Sequence, residues 1–244
     1  MASFISLQNI VKKLKETGKY HIVFLGDSIT STEWVHPNWR EVVEYILKKE
    51  LEKIMEHWQD PSWGTRCFNA GFDGATTKDM LVKLDKYVIN PDPNLVIIIG
   101  TRNDKDFKLS LREHKTNIQN IISRITQTGS DCVFCTSPTH LDYQIDPSYE
   151  PYVAEVSSIF PLPNSLFIDL YDKFRTLPLD RLYTFISEGN EVTGEKPGDT
   201  DPDHPNQLGN AYIAKVLLQE IFTIYFDPEK YIKSTLKGDK YPQY

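Results

Sequence analysis

Cysteine is scarce in this chain of 244 residues: Cys67, Cys132 and Cys135 make an odd count that builds no disulfide framework. Cys132 and Cys135 do form a C-x-x-C, but "DCVFCTSP" reads as a strand, where positions three apart face opposite sides. A redox pair needs its cysteines at a helix start, so both are expected as buried small hydrophobes. Long apolar runs are missing too. The longest, Leu95 to Ile99, is far too short to cross a bilayer, and "MASFISLQNIVKKLKETG" reads as an amphipathic helix rather than a leader, which points to the cytosol. Clustered positive charge is also lacking: the formal net charge is −7 and the Lys and Arg residues are scattered, which excludes a nucleic-acid partner. With no internal repeat, low-complexity tract or Pro/Gly/Ser linker, residues 1–244 are expected to form one domain.

Five short β-rich runs recur, at His21 to Leu25, Arg66 to Ala70, Leu95 to Ile99, Cys132 to Thr136 and Leu166 to Leu170. Helical patterns lie between them. Trp39, Val42, Val43, Ile46 and Leu47 repeat at three and four, as do Leu111, His114, Ile118, Ile121, Ile122 and Ile125, with Gly129 where a stop is expected. A third stripe takes in Leu208, Ala211, Tyr212, Val216, Leu217 and Ile221. Strand and helix in alternation predict an α/β fold, a three-layer α/β/α sandwich around a parallel sheet. Ligands of such sheets bind outside the carboxyl ends of the strands, so the loops there are where chemistry is sought. The polar stretch 187–206 is long enough to be functional, and residues 227–244 read as a C-terminal extension packed on the surface or on another subunit.

Four post-strand or loop segments carry unusual residues: Gly26-Asp27-Ser28; "NAGFDGATT" with Asn69, Gly71 and Gly74; "GTRND" with Asn103; and "DPDHPN" with Asp201 and His204. Ester cleavage by a serine needs a hydroxyl, a base, a group to fix the base, and donors for the developing oxyanion. All four roles can be filled. Asp201, three residues before His204, can accept from the imidazole Nδ1–H while Nε2 faces Ser28, and Pro205 restricts the backbone of His204. Gly74 can supply an N–H from a turn a Cβ would obstruct, Asn103 an uncharged amide, and Ser28 its own N–H at a helix start. Asn206 reads as the N-cap of the helix that follows.

"GDSIT", "NAGFDGATT", "ND" and "DPDH", in this order, resemble the four sequence blocks of the SGNH hydrolases, also called GDSL-type lipases and acylhydrolases, over residues 21 to about 220. The resemblance implies a flavodoxin-like fold with a five-stranded parallel sheet, no metal or other cofactor, and hydrolysis of a small-molecule ester or thioester through an acyl-enzyme. It makes Ser28 the nucleophile, Gly74 and Asn103 the oxyanion hole, and Asp201 and His204 the rest of the triad. Two positions depart from the pattern. Ile29 replaces the usual leucine, and "GTRND" places two residues, Thr101 and Arg102, where the family has one. Arg102 either bulges the loop or reaches into the pocket.

Taken singly, each residue has a plainer role. Asp27 or Ser28 would cap a helix, His204 would be a loop histidine, Asn103 and Asp104 turn formers, and Gly71 a rival to Gly74. Trp34, His36 and Phe72, with Phe107, are candidates to line an acyl pocket; Trp39 belongs to the core, and His114 and His140 are structural or surface residues. Two rival functions stay open. One is a metal-dependent phosphoesterase built on Asp27, Asn103, His140, Asp201, Asp203 and His204, although its usual D-x-H and G-H-x-H elements are missing. The other is a non-catalytic flavin- or phosphate-binding module using the hydroxyl-rich "GDSITST", and a hydrolase decayed to a binding protein is a further variant.

Overall fold

The computed structural model describes residues 4–31, 34–144 and 146–244. Five strands, β1 (Tyr20–Gly26), β2 (Thr65–Gly71), β3 (Leu95–Ile99), β4 (Asp131–Cys135) and β5 (Ser165–Ile168), form one all-parallel sheet in the spatial order β2-β1-β3-β4-β5. Each predicted strand is present within a residue or two. The exception in extent is β5, which ends at Ile168 because the Asp169 side chain accepts from Asp172 N–H and starts a helix in which Leu170 is already the first residue.

Eleven α-helices connect and cover the described strands: α1 (Leu7–Thr17), α2 (Trp39–Met55), α3 (Gln59–Gly64), α4 (Thr77–Leu84), α5 (Asn103–Asp106), α6 (Leu111–Thr126), α7 (Glu150–Ser157), α8 (Leu170–Phe174), α9 (Leu179–Leu182), α10 (Gln207–Phe222) and α11 (Pro228–Leu236). Among the described residues none is long and apolar enough to cross a membrane. Local chemistry explains α6. Ser110 Oγ accepts from Glu113 N–H while the Glu113 carboxylate accepts from Ser110 N–H, a reciprocal cap. The helix then buries His114, Ile118, Ile121, Ile122 and Ile125 and stops before Gly129, whose φ is +87°.

The pleat divides the sheet between two cores. Ile22 and Phe24 of β1 and Ile97 of β3 face α1, α2 and α10, whereas Val23, Leu25 and Ile98 face α4 and α6. This is the three-layer α/β/α arrangement expected of a sheet covered on both sides. Cys135 lies in the first core and Cys132 in the second, so the C-x-x-C does split across the faces. The apolar stripe on α10 differs in part from expectation. Ala211, Leu217 and Ile221 are buried as expected and Leu208, Tyr212 and Val216 only partly so, while Asn210, Ile213, Ala214 and Leu218 are covered as well, because α11 and α2 enclose the helix from two sides. Asn210 belongs there since its Oδ1 accepts from Trp39 N–H at 3.0 Å.

The extension after Phe226 packs back on the same core. Tyr231 and Ile232 of α11 are buried, and beyond it Tyr45 Oη donates to the Pro242 carbonyl at 3.1 Å and Tyr244 Oη to Glu50 at 2.9 Å. Of its four buried residues, Pro228, Tyr231, Ile232 and Ser234, only Tyr231 and Ile232 are large apolar side chains, too few to announce a helix from the sequence.

The strands end level. Gly26 of β1 stands opposite Gly71 of β2 and Ile99 of β3, and Ile99 stands opposite Cys135 of β4. The loops that follow therefore leave from one edge, and they crowd each other. A Cβ on Gly71 would lie 2.5 Å from Ser31 N, and one on Gly100, at φ +99°, would lie 2.2 Å from Asp27 Oδ1. Gly100→Ala should therefore cost ~3 kcal/mol or more, strain and overpacking combined. Gly129→Ala has an equally left-handed φ but no atom within 4 Å and should cost ~1–2 kcal/mol. Urea unfolding midpoints decide it; equal losses would mean that crowding at the strand ends is not the constraint.

Candidate active site

The strand order places β2 on one side of β1 and β3 on the other, and a crevice opens at that reversal. Residues 27–30 cross it as a tight turn, with Thr30 and Ser31 N–H both donating to the Asp27 carbonyl at 3.0 Å. No helix starts there. The next one, α2, begins at Trp39 and is capped by Asn38, so neither Asp27 nor Ser28 is a helix cap, and the Ser28 N–H is not at a helix start. What α2 does is hold the turn from behind. Asn38 Nδ2 and Trp39 Nε1 donate to the Ile29 carbonyl at 3.1 and 3.0 Å, and Trp39, fully buried, packs edge-on against Phe24.

Ser28 Oγ is left facing the crevice, 2.9 Å from His204 Nε2. His204 Nδ1 is 2.7 Å from Asp201 Oδ2. A carboxylate only accepts, so Nδ1 carries the proton and Nε2 is the acceptor for the serine hydroxyl. Asp201 is itself buried and fixed, since its Oδ1 accepts from the backbone N–H groups of Asp203 at 2.9 Å and His204 at 3.1 Å. Asn206 caps α10 as expected, accepting from Gly209 N–H, which anchors the His204 segment at its far end. Residues 176 positions apart thus share one hydrogen-bonded line.

Gly74 and Asn103 border the same cavity, of about 240 Å³, as Ser28 and His204. Gly74 takes φ +66° with no atom within 4 Å of a would-be Cβ, so it is demanded by backbone conformation and not by the crowding the sequence suggested. Its rival Gly71 is otherwise engaged, its N–H donating to Asn69 Oδ1 at 2.8 Å. Asn103 Nδ2 donates to the Ala75 carbonyl at 3.1 Å, which ties the third loop to the second and leaves one amide hydrogen over. The neighbouring Asp104, fully buried, strengthens that tie. Its carboxylate accepts from Thr77 N–H at 2.7 Å and Thr77 Oγ1–H at 2.6 Å and is 2.7 Å from His114 Nδ1.

Of the proposed pocket residues, Trp34 and Phe107 line the cavity. His36 and Phe72 do not. His36 is exposed beside Glu41, and Phe72 packs edge-on against Tyr87. Arg102 lines the cavity with its guanidinium committed, Nη1 donating to Asp203 and Nε 3.9 Å from an Asp106 oxygen. Its place was signalled by the extra residue in "GTRND"; nothing local signalled that it bridges to the histidine loop. Asp73 and Ser137, missed in the sequence, also line the cavity. Ser137 Oγ accepts from Thr101 and Arg102 N–H at 3.0 and 3.2 Å and so shapes the loop before Asn103.

The rival constellations are drawn apart. His140 is buried with Nε2–H donating to the Asp146 carbonyl at 3.1 Å, Asp203 is paired with Arg102, and Asp201 with His204. Among the described residues no group of three or more His, Cys, Asp or Glu side chains is placed to hold a metal ion. In the hydroxyl-rich turn, Thr30 Oγ1 donates to the Ile99 carbonyl and Ser31 Oγ to Asp73, while Thr32 lies outside the described residues.

A family model described as the GDSL-like lipase/acylhydrolase family matches residues 24–212. The chain belongs to that family. This acylhydrolase is thereby a hydrolase acting on ester bonds. No curated protein gives a significant match to it. Solved structures do. A lipase/acylhydrolase from Enterococcus faecalis is 21% identical with a TM-score of 0.62, the match covering 83% of this chain and 95% of that one. Axe2, an acetylxylan esterase from Geobacillus stearothermophilus, is 21% identical with a TM-score of 0.61, covering 86% and 95%. LAE5, an alpha/beta hydrolase enzyme from the metagenome of Lake Arreo, is 17% identical with a TM-score of 0.61, covering 83% and 94%. At these identities the likeness is one of fold.

One buried acid of the acylhydrolase has an unusual environment. Loss of hydration pushes the Asp27 carboxyl up to about 7, opposed in part by a hydrogen bond from Ile29 N–H and by nearby His204. A carboxyl raised above its unfolded value near 3.9 binds its proton more tightly when folded. Its stabilising contribution is therefore complete below about pH 4 and lost as pH rises through about 7. Unfolding free energies of wild type and Asp27→Asn, measured from pH 4 to 8, should change in the variant's favour by about 2–4 kcal/mol over that window. A gap independent of pH would contradict the assignment.

Proposed function

We propose that this acylhydrolase cleaves a carboxylic ester or thioester through an acyl-enzyme. Ser28 is the nucleophile, His204 the general base and Asp201 its orienting partner. Ser28 N–H, Gly74 N–H and the spare amide hydrogen of Asn103 receive the oxyanion. The observation that carries this reading is the line Ser28 Oγ to His204 Nε2 to Asp201, at 2.9 and 2.7 Å, opening on one cavity with Gly74 and Asn103. As Oγ bonds to the acyl carbon, its proton moves to Nε2 and the carbonyl π pair moves onto oxygen. Collapse of that intermediate expels the alcohol or thiol, which takes the proton from Nε2. Water then repeats the sequence, frees the acid and restores the serine. Protonation of Nε2 beforehand removes the acceptor the hydroxyl needs, so the rate declines on the acid side.

The cavity, at about 240 Å³, lies below the ~300–1,000 Å³ usual for drug-sized ligands, which favours a short acyl group. The acetylxylan esterase among the structural neighbours makes acetylated sugars one class to assay.

Ser28→Ala should lower kcat by ~10⁴-fold or more and abolish the mass adduct formed with an organophosphonate. Asn103→Ala should lower kcat by ~10²–10³-fold, the loss expected for one oxyanion donor. Over p-nitrophenyl esters of rising chain length, kcat/KM should peak at the short end. Activity retained in Ser28→Ala would overturn the mechanism.

A further inference from the structure

Trp34 lies flat against the general base. Its indole and the His204 imidazole are stacked with ring centroids 4.3 Å apart and planes 10° from parallel. The indole is 48% exposed, so burial of an apolar side chain is a poor account of its position. The charge state of the ring decides what the stack is worth. A neutral imidazole stacked on an indole gains only a modest amount, because both faces are electron-rich. An imidazolium in the same place sits over the negative face of the best cation–π partner among the side chains. The stack therefore favours the state in which His204 has taken the serine proton over the state before it has done so.

We propose that Trp34 is a positioning residue that stabilises the His204 imidazolium of the transition state. The proposal rests on the reading of His204 as general base. An interaction stronger in the transition state than in the ground state lowers the barrier without tightening substrate binding. The other charges around His204 come from every loop of the site. Asp201 and Asp203 share its segment, Asp27 lies behind Ser28, Asp73 comes from the second loop, and Arg102 and Asp106 come from the third. Trp34 substitutions leave all of them in place, which makes the indole separable.

The test compares wild type with Trp34→Phe and Trp34→Leu on p-nitrophenyl acetate, with Ser28→Ala as reference. Leu keeps apolar bulk without a π face, and should lower kcat by about 3- to 30-fold while KM stays within about twofold. Phe, a weaker π face, should lose less. The acid limb of the kcat/KM–pH profile should move to lower pH in Trp34→Leu, because the cation is no longer favoured in the free enzyme, and less so in Trp34→Phe. An unmoved acid limb, a rise in KM as the main effect, or a rate equal to wild type would each overturn the proposal while leaving the serine mechanism intact. Activity surviving in Ser28→Ala would instead remove the mechanism on which the proposal rests. Trp34 is half-exposed, so the variants are expected to fold, and matching unfolding midpoints verify it.

Discussion

The constraint on which the site depends is the level ending of neighbouring parallel strands. Gly26, Gly71 and Ile99 stand in one register row, and the three chains leaving that row have room only where side chains are absent. The Ser28 turn is wedged between the ends of β2 and β3, with Asp27 lying on the backbone of Gly100 and Ser31 on that of Gly71. A turn so confined has few alternatives. Its hydroxyl is aimed by packing, and the hydrogen bonds from Asn38 and Trp39 then fix what packing leaves free.

Three buried aspartates around this turn are stabilised in different ways. Asp201 has an imidazole and two backbone donors, and Asp104 has the N–H and hydroxyl of Thr77 as well as His114. Asp27 has the Ile29 N–H, and its carboxyl is pushed up by burial. Burying a carboxylate is costly in proportion to the donors it lacks. Asp27, beside Ser28, is thus the one the fold leaves least well compensated, while Asp201 has the His204 imidazole as well as backbone donors on its carboxylate.

Much of this was legible because parallel α/β sheets put strong local signals at strand ends. The run "LVIII" suited a strand covered on both sides, and Gly74 and the Asp201–His204 spacing stood where loops had to be, with Asn103 just past the end of β3 at the start of α5. What could not be read depends on contacts between distant segments. The Ser28 turn looked like a helix start because its residues are good caps, but the helix waits for Asn38. Trp34 meets a residue 170 positions away, and Arg102 reaches Asp203, 101 positions on, neither with a periodic pattern to announce it. The partly correct face of α10 has the same origin: Ala211, Leu217 and Ile221 are buried as read, but a helix enclosed by α2 and α11 buries more than one stripe.

The split of Cys132 and Cys135 between the two cores carries a further meaning. Burial pushes both thiols up, and an intact sheet separates them, so neither oxidant nor alkylating reagent reaches either sulfur while its layer stays shut. Each sulfur is consequently a sealed marker for one side of the molecule.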